Sequence, residues 1–153
     1  MAVLRFVAVG ALAVLVLTGC ASGSVASFTR ALAQADTTAW TEEALKAVGS
    51  RLDASVTATT KASGFEACRS DTGFFTTTDQ WRMISDLAVP EARQGAATAA
   101  ISKAFVAANW KRTRKAGLTT LSGPGGAAHK GLIELQTDGP TKLNVEVVSP
   151  CYK

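Results

Sequence analysis

The chain has 153 residues, room for one small domain and not comfortably two. It is 47% hydrophobic and 18% charged, with a formal net charge of +4. Without Arg5 and the apolar leader around it, 15 Lys+Arg stand against 12 Asp+Glu, a surplus of +3. So mild a surplus permits attraction to anionic lipid or polymer but does not argue for nucleic acid, and three Trp, six Phe and one Tyr are too few for an extended base-stacking surface.

Residues 1–5 form a short leader whose basic side chain is Arg5, and residues 6–17 are an apolar run broken only by Gly10. That run has the length of a signal-peptide core and is short for a membrane-spanning helix. Leu17-Thr18-Gly19-Cys20 follows directly. This tetrapeptide resembles the bacterial lipobox, which implies cleavage after Gly19, diacylglycerol on the Cys20 thiol, and residence on the extracytoplasmic face of the cell membrane. Two or more acyl chains, at roughly 0.8 kcal/mol per buried CH₂, hold a soluble domain stably. The expected organisation is a lipoprotein signal peptide over 1–19, a lipidated cysteine with a flexible tether over 20–40, and a folded domain over 41–153. Ala21-Ser22-Gly23-Ser24-Val25-Ala26-Ser27 has the small-residue composition of such a tether.

Outside the cytoplasm, Cys68 and Cys151 make an even pair in an oxidising compartment, and a disulfide between them is expected. Two cysteines with the distant His129 make a poor zinc set, so no metal or cofactor is implied.

Along the folded part, Thr41 reads as a helix cap with Glu42 and Glu43 in the first turn. Leu45, Val48, Leu52 and Val56 share one helical face, and Gly64 stops the pattern. Residues 27–40 read as a helical turn or linker. Cys68 falls in a short extended stretch, Ser70-Asp71-Thr72-Gly73 signals a turn, and residues 74–89 read as one or two strands. Pro90 and Glu91 open a second helix with a stripe of Ala97, Ile101, Ala104, Phe105 and Ala108, ending at Asn109 or Trp110. Strands are then expected over 113–121, 132–137 and 142–148, the last two alternating apolar with polar residues and joined by Asp138-Gly139-Pro140. The expected fold is α+β: two helices packed on one face of a small antiparallel sheet of four to five strands, the other face wet.

With the lipobox, the inner Cys68, a helix ending at Asn109-Trp110 and the terminal Val148-Ser149-Pro150-Cys151, the chain resembles small actinobacterial envelope lipoproteins of the LppA-like type. That resemblance implies a cell-envelope lipoprotein without a known reaction and supplies no catalytic residues.

Three groups remain to be weighed. Lys111, Arg112, Arg114 and Lys115 place four cations in five residues. They either complement the carboxyl end of the second helix or contact anionic headgroups or wall polymer. Trp40, Trp81 and Trp110 either fill the core or line a ligand pocket, with Trp81 and Trp110 the pocket candidates. His129 lies in a glycine-rich loop that lacks the Gly-Lys-Ser/Thr ending of a phosphate-binding P-loop, and no nucleophile-elbow motif accompanies it. No catalytic residue is assigned. The leading expectation is a non-enzymatic lipoprotein that binds an envelope protein, a lipid or a small ligand, with no nucleic acid. An enzyme or accessory acting on cell-wall material and a structural subunit of a membrane complex are the alternatives.

Overall fold

The computed structural model describes residues 25–69, 75–124 and 131–151. The lipobox-like segment with Cys20 and the loop residue His129 lie outside the described residues.

The first helix, α1, spans Val25–Leu52, so residues 25–40, expected in the tether, are helical. Thr41 is consequently mid-helix and not a cap. Its hydroxyl donates to the Thr37 carbonyl (2.8 Å), as Thr38 does to Gln34 (2.8 Å), the back-bonding by which a hydroxyl is accommodated inside a helix. The buried stripe of α1 is Ala33, Thr37, Thr41, Ala44 and Val48, and Leu32 stays 39% exposed. Small residues and threonines make that stripe, which hides the helical period from a count of large apolar side chains. The helix ends at Leu52, where Asp53 takes a left-handed φ of 48°.

Two long strands follow, β1 (Ala58–Arg69) and β2 (Phe75–Ala88), and then helix α2 (Glu91–Ala107) behind Pro90. Gln94, Ala97, Ile101, Ser102 and Phe105 are its buried residues, whereas Ala108 is exposed. After α2 the described residues add four strands: β3 (Lys111–Lys115), β4 (Leu118–Ser122), β5 (Leu132–Thr137) and β6 (Lys142–Val148). The sheet has six strands in the order β1-β2-β6-β5-β4-β3, with every neighbouring pair antiparallel. The count exceeds the expected four to five because residues 113–121 are not one strand. Ala116 (φ 48°) and Gly117 (φ 84°) fold them into a two-residue hairpin, both central residues having the positive φ of a type I′ turn.

Both helices lie on one face. Beneath them the sheet contributes Leu87, Leu121, Ile133, Leu135, Leu143, Val145 and Val147, and α1 and α2 add Ala44, Val48, Ala97, Ile101 and Phe105. The Asp138-Gly139-Pro140 hairpin is tied to the start of α2: the buried Gln94 amide donates to the Gly139 carbonyl (2.9 Å) and to that of Val89 (3.1 Å). The Glu91 backbone N–H donates to the Pro140 carbonyl (2.8 Å).

Cys68 and Cys151 form a disulfide, their Cα atoms 5.9 Å apart across 83 residues of sequence. It joins β1 to the segment beyond β6, although β2 lies between those two strands. In the chain-entropy account a loop of that length is stabilised by about 4 to 5 kcal/mol. Among the described residues no helix is long and apolar enough to cross a membrane.

Candidate functional site

The position of β3 is set by Trp110. After α2, Asn109 adopts φ 66°, a left-handed residue of the kind that closes helices, and the Trp110 N–H donates back to the Phe105 carbonyl (3.0 Å). The indole is 7% exposed and meets Phe105 and Trp40 edge-on, with ring centroids 5.0 and 4.9 Å away. Its floor is glycine. A Cβ on Gly131 would overlap the Trp40 ring and come within 3.1 Å of Trp110, and one on Gly123 would lie 3.3 Å from Trp110. Trp110 therefore sits in the core, pinning the strand that begins one residue later.

From that point the register separates the four cations. Arg112 pairs with Leu121 and Arg114 with Thr119, both buried on the helix side of β4. Lys111 pairs with Ser122 and Lys115 with Leu118 on the opposite face. Directly opposed residues in an antiparallel pair share a face, so the run divides into two arginines on the helical side and two lysines on the open side. All five β3 residues are exposed.

A cavity of about 200 Å³ lies between α2 and this edge. Arg112 and Arg114 line it together with Thr98 and Ser102 of α2, Thr119 of β4 and Thr137 of β5. Ser102 is 2% exposed, and its hydroxyl has no hydrogen-bond partner among the described residues. A buried hydroxyl without a partner costs about 1 to 3 kcal/mol.

Elsewhere on the sheet, Lys61, Lys142 and Arg82 are neutralised. Lys61 contacts Asp86 (2.9 Å) and Asp138 (3.2 Å), Lys142 contacts Asp86 (3.3 Å), and Arg82 contacts Glu146 (2.6 Å). Burial would raise the Asp86 carboxyl, but hydrogen bonds from Lys61, Asn144 and Lys142 outweigh it and hold its pKa below the ordinary value. Hydrogen bonds to Asp86 and Asp138 raise the Lys61 pKa, and one to Glu146 raises that of Arg82. None of the four β3 cations makes a salt bridge among the described residues.

Glu134 and Glu146 face one another across β5 and β6 on the open side. Burial, then repulsion from Glu146, raises the Glu134 pKa, while Arg82 grips both Glu146 oxygens at 2.6 and 2.9 Å. Neither the concavity near the open face nor the one at the β5–β6 hairpin is lined by either glutamate. Trp81 packs edge-on against Phe65 (4.7 Å) near the disulfide end and is absent from the cavity beside β3. Its indole N–H is buried without a partner among the described residues. No cluster of three or more His, Cys, Asp and Glu side chains among the described residues could hold a metal.

Sequence reasoning singled out Arg112 and Arg114 but missed Ser102, Thr98, Thr119 and Thr137. Ser102 sits in an alanine-rich helix beside Ile101, and only the pairing of three separate elements brings these hydroxyls together. Comparisons with family models, curated proteins and solved structures find no match to the chain, so the chemistry of this edge rests on its own residues.

Proposed function

We propose that the chain is a lipid-anchored, extracytoplasmic binding domain without enzymatic activity, which engages anionic envelope material through β3. The observation that carries this reading is the contrast in charge pairing: the strand cations Lys61, Arg82 and Lys142 have built-in carboxylates, and among the described residues the four on β3 do not. Anchoring rests on the lipobox at Cys20, and the Cys68–Cys151 disulfide accords with an oxidising compartment. Close to a charged membrane each cation contributes about 1 kcal/mol at best, so four give a useful but salt-sensitive attraction.

Two measurements test the reading. Mass spectrometry of the native protein should find fatty acid on an N-terminal Cys20, and Cys20→Ala should release the protein from the membrane fraction. In low salt, the acylated protein should bind phosphatidylglycerol vesicles at least tenfold more tightly than phosphatidylcholine vesicles. Neutralising Lys111, Arg112, Arg114 and Lys115 to glutamine should abolish that preference. An undiminished preference would remove β3 from the function.

A further inference from the structure

The geometry points to a narrower assignment, which rests on the binding role of β3: the cavity between α2 and β3 is a site for the phosphoryl group of a phosphate monoester, held by Arg112, Arg114 and Ser102. Three independent features converge there. The strand register puts both arginines, two residues apart, on the side facing α2, and neither has a carboxylate partner among the described residues. The cavity they line is about 200 Å³, smaller than the roughly 300 to 1,000 Å³ of pockets for drug-sized ligands. It suits a compact group. Into the same cavity α2 brings Ser102, almost wholly buried, with a hydroxyl that nothing in the described protein satisfies.

The donor inventory selects the anion. Arg112, Arg114, Ser102, Thr98, Thr119 and Thr137, all residues with side-chain hydrogen-bond donors, line the space. A carboxylate offers two oxygens and about four lone-pair sites. A phosphoryl dianion offers three terminal oxygens and twice the charge, and arginine's planar fork matches it bidentately. Among the described residues no carboxylate lines the cavity to oppose it. Lys111 and Lys115, on the other face of β3, contribute only to the long-range field.

Calorimetric titration of the intact acylated protein, in non-ionic detergent at pH 8 and constant ionic strength, tests the site with inorganic phosphate as the probe. Saturable binding is expected. Arg112→Gln with Arg114→Gln should weaken it at least tenfold, and Lys111→Gln with Lys115→Gln should change it less than twofold. Ser102→Ala should weaken binding about threefold while raising the melting temperature of the phosphate-free protein. A purely structural serine would not give that pair of opposite signs. Displacement of phosphate by dihexanoylphosphatidic acid alone identifies a lipid headgroup, by glycerol 3-phosphate alone a soluble ester, and by both the shared chemistry; each supports the site. Absence of saturable binding, displacement by neither ester, or equal losses from the arginine and lysine pairs would overturn it. In the last case, if the fourfold variant still loses its preference for phosphatidylglycerol vesicles, the broader reading of β3 survives.

Discussion

The two edges of the sheet are built on opposite principles. At the β1 edge, Lys61 reaches two aspartates, Arg82 of the neighbouring strand holds Glu146, and the Cys68–Cys151 bond ties the edge across β2 to the end of the chain. At the β3 edge, four cations have no counter-charge and a buried serine has no partner among the described residues, and a non-glycine residue takes a positive φ in the turn. A basic residue on a strand therefore means little by itself. What separates the edges is whether the protein carries the opposite charge or leaves it to another molecule.

The largest blow to the stapled edge is loss of its cross-link. Cys68→Ser with Cys151→Ser should lower the urea unfolding free energy by about 4 to 5 kcal/mol, less any relaxation. Hydrogen exchange should show β1 amides losing protection well before those of β5 and β6. Next comes the floor that positions the open edge. Gly131→Ala forces a methyl group into the rings of Trp40 and Trp110 and should cost about 1 to 3 kcal/mol. Near-ultraviolet circular dichroism should report the displaced indoles.

A third experiment sets charge against charge. Asp86→Asn removes the acceptor of Lys61 and Lys142 and should cost about 1 kcal/mol at pH 7, well below a fully buried pair because both lysines are half exposed. Neutralising the four β3 cations should leave stability within about 0.5 kcal/mol. The pH dependence fixes the sign. The folded-state pKa of Asp86 is lowered, so its contribution is complete above the unfolded value of about 4 and is lost as pH falls through the depressed folded value. Wild type and Asp86→Asn should therefore converge in stability in strong acid. The smallest effect is a gain: Ala116→Asn relieves the positive φ of the β3–β4 turn and should stabilise by about 0.5 kcal/mol, measured as a raised urea midpoint.

Much of the second half of the fold is legible from alternation. Ile133 and Leu135, and Leu143, Val145 and Val147, announce two strands with one buried face, and Pro90 announces α2. The first half of α1 is not legible, because Ala33, Thr37 and Thr41 do what larger apolar residues do elsewhere. Small side chains let the helix approach the sheet, as at Thr41, whose hydroxyl lies 3.6 Å from the Met83 sulfur of β2, and a single helix's pattern does not reveal that. The hairpin at Ala116-Gly117 escapes notice because alanine is an unexpected residue at positive φ. Of the candidate site, the arginines stand out by charge density. The hydroxyls opposite them are ordinary residues in their own segments and acquire meaning from α2 crossing the β3–β4–β5 edge.

The early start of α1 bears on how the domain would sit on a bilayer. With the helix beginning at Val25, five residue steps separate its first residue from Cys20, a reach of about 18 Å even at full extension. An acylated Cys20 would thus hold the start of α1 within roughly two Debye lengths of the headgroups at physiological salt. Such an anchor would restrict the orientation of the domain, and lengthening the segment 21–24 with glycine and serine should then loosen it measurably by fluorescence anisotropy.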